Sequence, residues 1–167
     1  RDVLRGHDDY ADKFDPHVWM VPELWVKVTA AVEAALVQAH PDGADVFAQN
    51  AAAYRADIAR VGAYARDVLA GVPAPARVLL TAHDAFGYFG AAYGFDVLGI
   101  QGISTESEAG LARIREMVDL LVTRNIGAVF VESSVSDRNI RALIEGAAAR
   151  GHDVRIGGEL FSDAMGP

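Results

Sequence analysis

The 167-residue sequence predicts an α/β protein: a parallel sheet with helices on both faces, preceded by one long helix. Three observations carry that expectation. From Arg77 onward, short apolar runs alternate with amphipathic stretches in strand–helix order, the pattern of a parallel sheet. One run, Ala128-Val129-Phe130-Val131, is uniformly apolar, as a strand covered on both faces requires. The Ala-rich segment 44–70 carries apolar residues on a nearly heptad-spaced stripe and ends at Gly71-Val72-Pro73, a Gly-then-Pro stop.

Residues 1–22 are polar and turn-like around Asp15-Pro16, where proline disfavours helix. Pro22 suits the first position of a helix. Leu24, Val28, Val32 and Leu36 then recur every fourth residue, giving an amphipathic helix that ends near His40-Pro41-Asp42-Gly43. In the segment after it the stripe is Phe47, Tyr54, Ile58, Val61, Ala65 and Val68. At ~1.5 Å per residue that helix spans roughly 40 Å, long enough to bridge two lobes. The alternation follows. Arg77–Thr81 reads as a strand, Asp84–Tyr93 as a helix stopped by Gly94, and Phe95–Gln101 as a second strand. Thr105-Glu106-Ser107-Glu108 has capping-box spacing. It precedes a helix with Leu111, Ile114, Val118, Leu121 and Val122 on one face. After the strand at 128–131, Ile140, Leu143, Ile144 and Ala147 mark a helix closed by Gly151, and Asp153–Ile156 is the last strand. The expected organisation is 1–43 as the end of a first lobe, 44–72 as a long linking helix, and 73–167 as an α/β lobe.

Half the residues are hydrophobic (51%), so a substantial core is available, and 23% charged is ordinary for a globular chain. A net charge of −8 disfavours nucleic acid and anionic membrane as partners, since both need basic patches. With no cysteine, any metal must take nitrogen and oxygen ligands. No run reaches the ~18–20 apolar residues of a membrane span, and no signal peptide is visible. The chain opens on Arg1-Asp2 and stops at Gly166-Pro167, which reads as a piece of a longer protein.

The informative junction is Val78-Leu79-Leu80-Thr81-Ala82-His83. A histidine at the C-terminal end of a strand faces the crevice where open α/β sheets bind ligands. His17, in Asp15-Pro16-His17-Val18-Trp19, and Asp163, in Phe161-Ser162-Asp163-Ala164-Met165, could join it in a divalent-metal site. Each has an ordinary alternative: His83 as a hydrogen-bonded loop residue, His17 as a turn element, Asp163 as a helix cap. Three carboxylates are candidate supports. Asp84 also suits a helix N-cap. Glu132 ends a strand in the same crevice, where it could orient an imidazole or cap the next turn. Glu159, between Gly158 and Leu160, is comparable. His7 lies in an acidic, loop-like patch, while His40 and His152 sit at helix ends where a cation complements the dipole. Nucleophile-elbow, dinucleotide, phosphate-loop and His-Glu-x-x-His signatures are absent.

Taken in order, several strings resemble the metal-binding receptors of ABC importers, the TroA/ZnuA-type solute-binding proteins. They are Asp15-Pro16-His17-Val18-Trp19, His83-Asp84-Ala85-Phe86-Gly87-Tyr88-Phe89, Gly99-Ile100-Gln101-Gly102-Ile103-Ser104, Phe130-Val131-Glu132-Ser133-Ser134 and Gly158-Glu159-Leu160-Phe161-Ser162-Asp163-Ala164-Met165-Gly166. The resemblance implies two α/β lobes joined by one long helix, with Zn²⁺ or Mn²⁺ carried between them and delivered to a membrane permease outside the cytoplasm. The family's ligands are His, His, His or Glu, and Asp. Matched by position, His17 takes the second place, His83 the third and Asp163 the fourth. The first belongs upstream of Arg1, and His7 does not match it. Met20-Val21-Pro22 departs from the family's usual Leu-Asp-Pro. Such a lobe would expose the apolar stripe of the long helix, inviting self-association. Two other readings remain at this point. One is a metal-dependent hydrolase with Glu132 or Glu159 as base; the other is a non-metal small-solute binding module in the same crevice.

Overall fold

A computed structural model describes residues 14–103 and 109–166. These residues divide between two compact units, Val18–Pro73 and a second made of the chain before it and Ala74 onward.

The first unit is a helix pair, α1 (Pro22–Ala39) and α2 (Ala44–Ala70), which matches the expected helices and their Pro and Gly punctuation. The packed stripe of α2 differs from the expected one. Ile58 and Gly62 are its buried residues, whereas Tyr54, Val61 and Val68 are exposed. Gly62 explains the rotation. A Cβ there would lie 3.1 Å from Pro22 Cβ, so the missing side chain lets α2 press directly on the start of α1. Tyr54 is held at the rim, its hydroxyl accepting from Trp25 Nε1 at 3.0 Å. Arg55–Glu33, at 2.6 Å, and Arg66–Glu23 tie the two helices together. Among the described residues no helix is long and apolar enough to cross a membrane.

The second unit is the α/β assembly. Strands β1 (Val78–His83) and β2 (Asp96–Gln101) pair in parallel, as do β3 (Ala128–Glu132) and β4 (Arg155–Leu160), and β1 lies beside β3. Helices α3 (Gly87–Tyr93), α4 (Leu111–Thr123) and α5 (Arg138–Ala148) connect them. Strand alternation sorts the side chains into two faces. Leu80 and Ala82 of β1, Ile100 of β2 and Val129 of β3 join Met117, Val118 and Leu121 of α4 and Ile140, Leu143 and Ala147 of α5 in one core. The opposite parity, His83, Gln101 and Glu132 at the strand ends, looks to the other face. There α3 packs so closely on β2 that a Cβ at Gly90 would lie 2.6 Å from Val97 Cγ2. Helices therefore cover both faces, as expected.

Strand ends shift by one to four residues, β1 running on to His83 and β4 starting at Arg155, and two shifts bear on the site. Helix α3 begins at Gly87, not Asp84, with Phe86 at its N-cap position, so Asp84 is no helix cap. Instead Asp84 crosses β2 where Gly99 has no side chain: a Cβ there would sit 2.8 Å from the Asp84 backbone. Strand β4 runs on to Leu160, past the two glycines that read as loop. At Gly157 a side chain would strike the Phe130 ring at 2.8 Å, so glycine is what lets β4 lie flat against its neighbour. Asp163 thus lies three positions past the strand end at Leu160, not seven past the expected end at Ile156. Strand β2 starts at Asp96, one residue after the expected Phe95, and the left-handed Gly94 (φ 71°) and Gly151 (φ 75°) stand where the sequence reading placed its helix stops. The capping-box residues 105–108 and His7 lie outside the described residues.

Candidate metal centre

The three residues matched by position come together within the α/β unit. His17, His83 and Asp163 each offer one ligand atom, and those atoms lie within 4.8 Å of one another. Asp163 reaches both imidazoles: its Oδ1 is 3.4 Å from His17 Nε2 and its Oδ2 is 3.0 Å from His83 Nε2. The rings stand edge to face, 5.6 Å between centroids and 69° between planes. Both histidines are buried, at 2% and 0% exposure, while Asp163 stays partly open to solvent.

A carboxylate backs each ring on its far side. The Asp15 side chain accepts from the backbone N–H of His17 at 2.9 Å and meets His17 Nδ1 at 2.7 Å through the same Oδ1. This turn of carboxylate onto the amide two residues later is the local device that Asp-Pro-His makes. Tyr88 of α3 secures it by donating to the Asp15 carbonyl at 3.0 Å. Glu132 does the same for His83. Its Oε1 accepts the His83 backbone N–H at 2.8 Å, and its Oε2 lies 2.6 Å from His83 Nδ1. Of the two roles open to Glu132, the structure realises the orienting one.

These contacts point to one tautomer for each ring. A nitrogen and a carboxylate oxygen at 2.6–2.7 Å need a proton between them. With the proton on Nδ1, each ring turns Nε2 toward Asp163 as an acceptor. Both Nε2 atoms face the Asp163 oxygens, and neither ring nitrogen of His83 has an aligned hydrogen bond although both are fully buried. Acceptors converging like this repel unless a cation lies among them. Donor atoms around an ion at ~2.0–2.2 Å are separated by about 2.8–3.6 Å, between octahedral and tetrahedral angles. The 3.0 and 3.4 Å separations, each to a different oxygen of Asp163, fall in that range, and the three ligand atoms lie within 4.8 Å. Three carboxylates, Asp15, Glu132 and Asp163, surround two imidazoles, so the charge balance also favours a divalent ion.

The proton is the competing cation. Burial pushes the His83 pKa down, but Glu132 and then Asp163 outweigh it, so the net shift is upward. Burial alone would raise the Glu132 pKa. Hydrogen bonds from His83 and Ser162 overcome this and hold it below the usual carboxylate range.

The remaining candidates are not in the cluster. Asp84 is engaged where its chain crosses Gly99, its N–H donating to Gly102 O at 3.4 Å. Glu159 sits in β4 opposite Val131 with an exposed side chain, and no hydrogen bond or ion pair connects it to the histidines. His152 Nε2 meets the Ile126 carbonyl at 2.8 Å, and the backbone N–H of His40 closes α1 onto Leu36, both structural duties. The sequence reading did not single out Asp15 or Ser162. Asp15 was visible as a carboxylate two residues before a histidine. Ser162 gave no signal beyond its place beside Asp163.

The match to known proteins is extensive. The family model for the zinc-uptake complex component A, periplasmic (ZnuA), covers residues 2–167. The chain belongs to the ZnuA family. It is 51% identical over 153 residues to the manganese-binding lipoprotein MntA of Bacillus subtilis, covering 92% of this chain and 50% of that protein. It is 47% identical over 154 residues to the zinc-binding protein TroA of Treponema pallidum, again 92% of this chain and 50% of the relative. The solved structure of that periplasmic zinc-binding protein superposes with a TM-score of 0.92 at 44% identity, over 97% of this chain and 58% of the other. The chain thus spans about half the length of the curated relatives it matches.

Proposed function

We propose that this chain is the metal-holding part of an extracytoplasmic receptor that captures Zn²⁺ or Mn²⁺ and passes it to an ABC-type permease. The metal is cargo, and the protein acts by binding, not by catalysis. His17 and His83 supply Nε2, and Asp163 supplies its carboxylate. Asp15 and Glu132 hold the rings in the tautomer that presents Nε2 as the ligand atom. The observation that carries the reading is the convergence of two such Nε2 atoms on one carboxylate at 3.0 and 3.4 Å. Imidazole suits Zn²⁺ and carboxylate suits Mn²⁺, so this donor set accommodates both. The names of the relatives, manganese-binding for one and zinc-binding for the other, support the same pair of metals and a location outside the cytoplasm. A fourth ligand and a second lobe, with α2 as the connection, complete the proposal for the longer protein.

The test is calorimetric titration of metal-stripped protein with Zn²⁺ and Mn²⁺. One ion per chain is expected, lost in His17→Ala, His83→Ala and Asp163→Ala. Unchanged affinity and stoichiometry in all three would place the metal elsewhere. Zn²⁺-dependent hydrolysis of an ester or phosphate panel, abolished in His83→Ala, would replace the receptor reading with a hydrolase.

A further inference from the structure

Tyr88 is 3% exposed, and its hydroxyl lies 3.0 Å from the Asp15 carbonyl, 73 positions away along the chain. A carbonyl oxygen can only accept, so Tyr88 is the donor of this bond. It holds the main chain of the residue whose carboxylate turns onto the N–H and Nδ1 of His17. Tyr88 itself belongs to the neighbourhood of the other imidazole. It follows His83 by five positions and stands in the first turn of α3. That short helix is firmly seated. A Cβ at Gly90 would lie 2.6 Å from Val97 Cγ2 and 2.8 Å from the Phe95 carbonyl, so bare backbone rests on β2. At its end the left-handed Gly94 donates its N–H to the Gly90 carbonyl at 2.9 Å, and the Arg77 guanidinium donates to the Tyr93 carbonyl at 3.4 Å. The phenol therefore reaches the Asp15 turn from a fixed platform.

We infer that Tyr88 is a positioning residue that presets His17 against His83 before an ion binds. The inference rests on the metal reading above. The two histidines come from distant segments, yet Tyr88 joins them by a short path. That path is five residues of chain from His83, one hydrogen bond, and the Asp15-Pro16-His17 turn. The two supports of His17 then divide the work. The Asp15 carboxylate sets the rotation and tautomer of the ring, and Tyr88 sets where the turn carrying that ring stands. Both are needed for two Nε2 atoms to meet one ion at bonding distance. A pair preset in this way pays less to be ordered on binding. One neutral hydrogen bond is worth roughly three- to tenfold in an equilibrium constant, which sizes the effect.

The experiment removes the hydroxyl alone, with Tyr88→Phe, and measures Zn²⁺ and Mn²⁺ binding by competition with a fluorescent chelator. Binding should weaken roughly three- to tenfold. In an Asp15→Ala background, where the turn onto His17 is already broken, the same change should matter by less than about twofold. A loss under about twofold in the parent, or an equal loss in both backgrounds, overturns the inference. Proton NMR of the metal-free protein adds two readouts that involve no metal. In the parent the Tyr88 hydroxyl proton should exchange slowly with water and show a cross-peak to Asp15 or Pro16; a freely exchanging hydroxyl overturns the inference even if Tyr88→Phe does not fold. In Tyr88→Phe the ring signals of His17 should broaden while those of His83, held by Glu132, stay sharp. Broadening of both rings, as a loosened fold would give, or of neither, overturns it. If His17 alone broadens but the parent binds neither ion, only the receptor reading falls; if the parent binds ions and His17 is unaffected, only the positioning role does.

Discussion

Asp15→Asn isolates the electrostatic role of a group that never touches the metal. Asp15 Oδ1 accepts from both the backbone N–H and Nδ1 of His17, and the side chain is 5% exposed. Asparagine keeps an acceptor of the same size, so the turn should survive, but it removes the negative charge. From that carboxylate across the imidazole to an ion on Nε2 is about 6–7 Å, judged from ring size and metal–nitrogen bond lengths. A unit charge and a divalent ion at that distance attract by roughly 2.5–5 kcal/mol for an effective dielectric of about 20–40. Reorganisation and the competing proton cancel part of this, leaving the ~1.4–2.7 kcal/mol that corresponds to a 10–100-fold loss of affinity. Chelator competition at pH 7.5 measures it, with circular dichroism and thermal melting to show that the metal-free fold is intact. A folded Asp15→Asn protein binding Zn²⁺ and Mn²⁺ within twofold of the parent would refute the idea that a charged acceptor on Nδ1 drives Nε2 toward the metal.

Metal affinity should fall with pH from a point above the ordinary histidine range, because the raised His83 pKa means a proton must be displaced there; the slope of log K against pH, followed by titration, should approach one per proton released. Melting of the metal-free protein should show the reverse dependence. A raised folded pKa gives His83 stabilisation that is complete below its ordinary value of 6.5 and is lost as pH rises through the folded value. The depressed Glu132 pKa gives stabilisation present above 4.5 and lost as pH falls through its own folded value. The metal-free melting temperature should therefore peak between those limits and recover at higher pH when Zn²⁺ is added. Gly99→Ala forces a Cβ against the Asp84 backbone at 2.8 Å, directly after His83, and should cost about 1–3 kcal/mol in denaturant melts while also weakening metal binding. The helix pair leaves Val61, Tyr64 and Val68 of α2 exposed. We propose that the 167-residue chain self-associates there, with a mass by light scattering that rises with concentration and falls back in Val61→Glu.

The helices and the candidate ligands were legible in the sequence for different reasons. Helices α1 and α2 carry local punctuation, Pro22 at one start and Gly71 at one end, which acts wherever the rest of the chain lies. The strands were visible as apolar runs, but their ends depend on neighbours. Sequence propensity counts Gly157 and Gly158 against a strand; only the Phe130 ring across the pair shows why glycine belongs at 157. Asp84 looked like a cap because it precedes an aromatic helix, yet the crossing at Gly99 uses up that position and delays α3 to Gly87. On α2 the spacing gave the stripe but not its rotation, which Gly62 against Pro22 decides. At the site, His17, His83 and Asp163 could be matched by motif. The partners that give them their tautomers are long-range or short polar contacts, and periodicity does not encode those. Glu132 was visible as a strand-end carboxylate with two possible roles, and only the 49-residue contact to His83 chooses between them.

The most direct test of the account is an anomalous-scattering map from crystals of the metal-saturated protein, recorded on both sides of the Zn and Mn edges. The account predicts one peak about 2.0–2.3 Å from Nε2 of His17, Nε2 of His83 and a carboxylate oxygen of Asp163, with Asp15 and Glu132 still on the Nδ1 atoms. A peak bound through Nδ1, or metal held only at surface carboxylates with this cluster empty, would contradict it.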